Sequence, residues 1–232
     1  MGNLEEIIEI NNLDYQYPGE EKQTLKNINF KVYQNEIVGL VGINGAGKTT
    51  LLKCISGLYS TNNIKLYNIS KTQIGFVPTD LYIYNLLTPQ EFLYFICKLH
   101  NMNKEEIEKK INYYLKKFNL DEKKNNYIND LSFGMKHKLA LISGLIHEPK
   151  FLILDEPMTG YDPKSTFETK KLLQKFVKSK KNSILLSSHR LDIIQELCNR
   201  IILISEGQII ETFSSNQLIN NKYLEELVVS KI

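Results

Sequence analysis

The chain of 232 residues has no tryptophan, only six prolines and only three cysteines. Cys54, Cys97 and Cys198 lie far apart, each in an apolar helical pattern. They show no redox or metal-ligand spacing, and their odd number argues against a disulfide framework. The four histidines are equally scattered. No apolar run approaches the roughly 18 residues needed to span a bilayer. The opening Met1-Gly2-Asn3-Leu4-Glu5-Glu6 is acidic and lacks the apolar core of a signal peptide. Glu6 stands where N-myristoylation requires Ser or Thr. A net charge of +3 is too mild to argue for a nucleic-acid partner, and Glu122-Lys123-Lys124 reads as solvated surface. What remains is an ordinary globular composition, 42% hydrophobic and 24% charged, of a length that suits one domain carrying a small subdomain. The expected location is cytoplasmic.

Against this plain background one stretch stands out: Gly42-Ile43-Asn44-Gly45-Ala46-Gly47-Lys48-Thr49-Thr50. It fits the phosphate-loop pattern G-x-x-x-x-G-K-[ST]. An apolar run, Glu36 to Val41, leads in as a strand, and Thr50 to Ile55 leads out as a helix that stops at Gly57. Glycines let several N–H groups turn toward one anion, and the helix adds the positive end of its dipole. Lys48 brings a full charge to the outer phosphates, and Thr49 offers a hydroxyl to Mg2+. A bare glycine turn would need neither residue. The motif predicts that the chain binds a nucleoside triphosphate.

Strands are expected at Glu6–Ile10, Ile28–Val32, Ile37–Val41, Asn63–Tyr67 and Gln73–Val77, with Pro18 and Gly19 turning between the first two. Thr88-Pro89-Gln90-Glu91 then starts a helix with Phe92, Phe95, Ile96 and Leu99 on one face. Asn103 with Glu106 starts a second, carrying Ile107, Ile111, Leu115 and Phe118. Leu131-Ser132 begins a third, with Leu139, Ile142, Leu145 and Ile146 inward. Phe151 to Leu154 reads as a strand buried on both faces of a parallel sheet. A helix from Asp162-Pro163 to about residue 179, strand Ser183–Ser187, helix Arg190–Asn199, strand Arg200–Ile204, turn Glu206-Gly207 and strand Gln208–Phe213 follow. The tail, Ser215 to Ile232, reads as an amphipathic helix. Strands alternating with helices imply an α/β fold with a mostly parallel sheet.

Asp155 and Glu156 follow the buried strand, at the edge where open α/β sheets bind ligands. Asp155 there suits a magnesium ion near Thr49, and Glu156 suits a general base toward an attacking water. As a lone pair of surface acids they would say little; with the phosphate loop they are specific. Ser132 is an N-cap whose helix also presents bare N–H groups to an anion, and simple capping competes with that role. His189 ends a strand at the same sheet edge, where it can reach a γ-phosphate or orient water. Lone histidines at strand ends are more often structural.

In this order the pieces resemble one family over nearly the whole chain, the ATP-binding subunits of ABC transporters. Gly42 to Thr49 looks like its Walker A loop, Leu131 to Met135 like its signature sequence and Phe151 to Glu156 like Walker B with the catalytic glutamate. Gly160-Tyr161-Asp162 looks like the D-loop and His189 like the switch histidine. Tyr17 matches the aromatic residue that stacks on adenine. The resemblance implies a P-loop NTPase core of residues 1–80 and 146–232, a small antiparallel β subdomain, and an inserted helical subdomain of residues 81–145. It implies ATP and Mg2+ as cofactors, with Ser132 and Gly134 of one subunit touching the phosphates held by a second ATP-binding subunit. A permease in the membrane would hold the pair at the inner face of the cell membrane.

Two places depart from the family pattern. Val77-Pro78 is followed by Thr79 and Asp80 instead of the Q-loop glutamine, so Asp80 is the candidate to take over its metal contact. In the signature, Phe133 replaces a glycine and Met135 the glutamine. The segment from Leu58 to Ile74 is short, so the antiparallel subdomain is expected to be trimmed. This variant, compact form most resembles bacterial exporters of peptides, ions or drugs. The alternatives are a soluble regulatory or assembly ATPase, and the weakly hydrolysing partner of a heterodimer.

Overall fold

The computed structural model describes residues 5–214. The expected amphipathic helix at residues 215–232 therefore lies outside the described residues.

Period-two alternation of apolar residues builds the centre of the molecule. Strands β1 (Glu6–Tyr15), β2 (Leu25–Tyr33) and β3 (Ile37–Val41) precede helix α1 (Lys48–Ser56). Then come β4 (Ile64–Leu66), β5 (Ile74–Val77), α2 (Pro89–Leu99), α3 (Lys104–Lys117) and α4 (Phe133–Leu145). The chain continues through β6 (Phe151–Asp155), α5 (Pro163–Lys180), β7 (Ser183–Ser187), α6 (Leu191–Leu197), β8 (Arg200–Ser205) and β9 (Gln208–Ser214). A six-stranded sheet runs β5-β6-β7-β3-β8-β9, with only the β8–β9 pair antiparallel. An antiparallel sheet, β2-β1-β4, packs beside it.

Each central strand divides its side chains between two cores. On β6, Leu152 and Leu154 join the cluster with α2 to α6, whereas Phe151 and Ile153 join the cluster with α1 and the antiparallel sheet. On β8, Ile201 and Leu203 face the first cluster and Ile202 and Ile204 the second. Burial on both faces is why these strands read as unbroken apolar runs.

The caps expected from sequence hold the helices of the β5–β6 connection. The Thr88 hydroxyl accepts from Glu91 N at 3.2 Å, while the Glu91 carboxylate accepts from Thr88 N at 2.8 Å. Asn103 caps α3, Ser132 α4 and Asp162 α5. The inner stripe of α2 differs from the expected one. Phe92, Leu93 and Cys97 are buried, but Phe95 and Leu99 are exposed. The helix turns its Leu93–Cys97 row inward, and Phe95 and Leu99, which share the helical spacing of a competing row, face outward. The helix expected at Arg190–Asn199 is shorter, because Arg190 and Cys198 are extended. Strand β4 has contracted to three residues, in keeping with a trimmed subdomain. Among the described residues no helix is long and apolar enough to cross a membrane.

Candidate functional site: the carboxyl edge of the sheet

The turn from β3 into α1 is shaped by steric demand. A side chain at Gly42 would place its Cβ 2.2 Å from the Ile204 carbonyl oxygen. Gly47 has φ +104° as the N-cap of α1, a conformation that L side chains rarely adopt. The loop is further pinned by Gly207 N donating to Ala46 O at 3.0 Å. The first-turn N–H groups of α1 therefore face an open cleft of about 410 Å³ without helical partners. Asn44, Gly45, Gly47, Lys48, Thr49, Thr50, Asp80, Asp155 and Glu156 all line that cleft, so the structure brings most predicted residues together.

Lys48 is only 9% exposed, and its ammonium donates to the carbonyls of Gly42 at 2.6 Å and Ile43 at 3.0 Å. Burial lowers its pKa from the ordinary lysine value, and the Glu156 and Asp155 carboxylates oppose that shift. Asp155, 2% exposed, accepts from the Thr49 hydroxyl at 2.7 Å and the Ser187 hydroxyl at 2.5 Å. A hydroxyl and a carboxylate adjoining an anion cradle are hard oxygen donors that fit Mg2+ shared with phosphate oxygens. Such a site takes few protein ligands, consistent with the absence of any three-ligand His, Cys, Asp or Glu cluster among the described residues.

Glu156 lies just past β6 with φ +52°, an uncommon conformation for a non-glycine residue. Its neighbours over-determine that backbone. Glu156 N donates to the Ser187 hydroxyl at 3.2 Å and carbonyl at 3.3 Å, and the Thr159 hydroxyl donates to Glu156 O at 3.0 Å. On its side chain, Oε2 lies 2.9 Å from His189 Nδ1 and 3.4 Å from the Ser188 hydroxyl. The His189 ring is largely exposed, with Nδ1 held by this contact.

Ser187 and Ser188 were not among the residues expected at the site. The signal was available in Ser187-Ser188, two small hydroxyl residues closing an otherwise apolar strand. Thr79 lines the same cleft, and its hydroxyl donates to the Asp155 carbonyl at 3.2 Å. Asp80 remains exposed at the cleft mouth.

Tyr17 stands with its hydroxyl 2.9 Å from the Thr50 hydroxyl. Its ring meets Tyr15 and Tyr59 edge-on, at 5.2 and 5.7 Å. Ser132 and Gly134 sit apart from this cleft, at the start of α4. Phe133 beside them is 59% exposed, so it does not pack beneath the helix; its ring leans on His137 at 4.4 Å.

The sequence model of the ABC transporter family matches residues 25–159, more than half of the chain. An uncharacterized ABC transporter ATP-binding protein, YxlF of Bacillus subtilis (strain 168), is 36% identical over 192 residues, 81% of this chain and 64% of its own length. Methionine import ATP-binding protein MetN 1 of Listeria monocytogenes serotype 4b (strain F2365) is 32% identical over 207 residues, 83% of this chain and 61% of its own. A solved structure of an ATP-binding subunit of an ABC transporter matches with a TM-score of 0.86 at 26% identity, covering 97% of this chain and 98% of that one. The chain spans less than two thirds of the length of YxlF and MetN 1. With the phosphate loop, the Asp155–Thr49 pair and the strand order all in agreement, the chain belongs to the ABC transporter family and carries its ATPase domain, which takes ATP with Mg2+.

Proposed function

We propose that the chain is an ATP-hydrolysing subunit that works in a head-to-tail pair and drives transport through a separate membrane permease. The observation that carries this reading is the gathering of Thr49, Asp155 and Glu156 at the phosphate-loop cleft, with His189 held against Glu156 from outside it. Lys48 and the α1 N–H groups hold the phosphates, and Thr49 with Asp155 holds Mg2+. Glu156 orients and deprotonates the attacking water, and His189 steadies its carboxylate. Tyr17 offers its ring to adenine.

In this reading Ser132 and Gly134 complete the site of the second subunit, because both lie away from the chain's own cleft. Residues 1–80 and 146–232 act as the ATP-binding core and residues 81–145 as a helical lever. The loop after β5 supports a docking role: Leu81 and Ile83 pack on the core while Tyr82 and Tyr84 are exposed. The working place is the cytoplasmic face of the membrane. ATP stabilises the closed pair and hydrolysis releases it.

Export of a peptide, ion or drug is the direction favoured by the variant loop at Thr79-Asp80 and the variant signature. One relative is named for methionine import, so assays with the permease in vesicles must measure flux both ways. The exposed Phe133 favours one second reading, in which this chain is the weakly hydrolysing member of a heterodimer.

The deciding experiment is steady-state ATP hydrolysis by the purified chain and by Glu156→Gln, with size-exclusion runs with and without ATP. Turnover lost in the variant together with an ATP-trapped dimer supports a self-sufficient pair. ATP binding with neither turnover nor a dimer supports the weak-partner reading. Wild-type turnover in Glu156→Gln removes the general-base role.

A further inference from the structure

Away from the phosphate cleft, a second concavity lies where α5 faces α3 and α4. One cavity of 370 Å³ there is lined from all three helices: Lys117 ends α3, Lys138 is on α4, and Lys171 and Lys175 are on α5. Among the described residues Glu168 is the one carboxylate in its lining. Among the described residues none of these four lysines is in an ion pair. Three lie over aromatic rings: Lys117 is 5.8 Å from the Tyr113 centroid, Lys138 5.8 Å from Tyr161 and Lys171 4.2 Å from Phe167, and the charge of Lys138 also favours the Asp162 carboxylate. Clustered charge of one sign in a recess focuses a field that draws an oppositely charged ligand.

The recess continues into a second cavity of 300 Å³ that shares Lys117, Leu172 and Lys175. Its walls are aromatic, from Tyr113, Tyr114 and Phe176. Its one carboxylate, Glu148, already meets Lys110 at 3.3 Å. The two cavities share no residue with the phosphate cleft. Each falls in the volume range of small-molecule sites, about 300 Å³ and upward.

We propose that this cleft is a second ligand site, for a nucleoside diphosphate or triphosphate, with the phosphates among the four lysines and the base against the tyrosines and Phe176. Lysines act as point charges for phosphate, and aromatic faces stack on any base. The ligand would tie α5 to the helices of the β5–β6 connection. This site stands independently of the reading given to the phosphate loop.

The test is calorimetric titration of GDP and of inorganic pyrophosphate into Lys48→Ala, which disables the phosphate loop. The comparison protein is Lys48→Ala with Lys117→Glu and Lys175→Glu. Both added positions are exposed, so fold is checked by an unchanged melting temperature. Expected is saturable GDP binding below about 1 mM, at least about tenfold weaker in the charge-reversed protein and weakened by salt. Pyrophosphate is expected to bind at least about fivefold more weakly than GDP, since it forgoes the stacking. No saturation in that range, or an affinity indifferent to the two reversals, overturns the site. Equal affinity for pyrophosphate and GDP overturns the nucleoside assignment.

Discussion

The phosphate-loop end of the molecule and the start of α4 are both helix N-termini, yet they are built oppositely. At the loop, Lys48 and Asp155 are buried, and every polar atom that carries charge is already held by a neighbour. At α4, Ser132 is exposed and spends its hydroxyl on Met135 N at 3.3 Å, while Phe133 projects into solvent. The first region is preorganised between two cores. The second abuts the turn at Gly160: a Cβ on Gly134 would lie 2.8 Å from the Gly160 carbonyl oxygen, and one on Gly160 would lie 2.7 Å from the Phe133 ring. Preorganised dipoles cost no rearrangement at the moment of reaction, which is why the chemistry is assigned to the loop end.

The sharpest way to break the contrast is to damage the preorganised end. Glu156→Gln is expected to lower turnover by about 100-fold or more while ATP still binds, the scale of a lost general base. Lys48→Ala should abolish turnover and weaken ATP binding, read by titration calorimetry. The next effect concerns α4. Ser132→Arg should lower turnover by about tenfold or more, the worth of a hydrogen bond to a charged group, with ATP affinity of the isolated chain unchanged within about twofold. A matching loss of affinity in the isolated chain would mean that α4 serves the chain's own site, and the contrast would fail.

The two ends were also unequally legible in the sequence. The loop was readable because Gly42, Gly47, Lys48 and Thr49 each answer one local demand at fixed spacing. The caps Thr88, Asn103 and Ser132 were readable for the same reason, since a cap needs only its own first turn. Strand burial was readable from the apolar runs, and the mostly parallel sheet from strands alternating with helices; the strand order was not. What escaped needed contacts distant in sequence. Ser187 reaches Asp155 only because β6 and β7 pair in register. The φ of Glu156 is imposed by Ser187 and Thr159, and no local pattern announces it. The inner row of α2 is not fixed by its own sequence, since two apolar stripes compete on that helix and its neighbours choose between them.

Tyr17 tests how far the preorganised end extends. Its hydroxyl meets Thr50, in the first turn of α1, so ring and hydroxyl contribute separately. Tyr17→Ala should raise the ATP dissociation constant by roughly tenfold, from the stacking energy of one base. Tyr17→Phe should cost about threefold or less, because one neutral hydrogen bond is lost at a half-exposed site. Equal losses in the two variants would assign the effect to the hydroxyl and to the order of α1, leaving the ring without a part in binding.

The smallest expected effect is a response to acid at the far end of α4. His147 follows that helix, and its ring stacks on His100 at 3.8 Å with an 11° tilt. Burial, then the charges of His100 and Lys110, push its pKa down from 6.5 to about 4. The unfolded chain therefore binds the extra proton between these values and the folded chain resists it. Stability from this group is present above about pH 6.5, declines as pH falls toward 4, and is flat below. His147→Gln should lose less of its urea midpoint than wild type between pH 7.5 and pH 5. Amide exchange at pH 5 should rise in α4 before it rises in α1, since only α4 is tied to the histidine pair. Equal acid sensitivity in α1 would mean that the two helices open as one cooperative unit, and that their different construction is confined to the ligand surface.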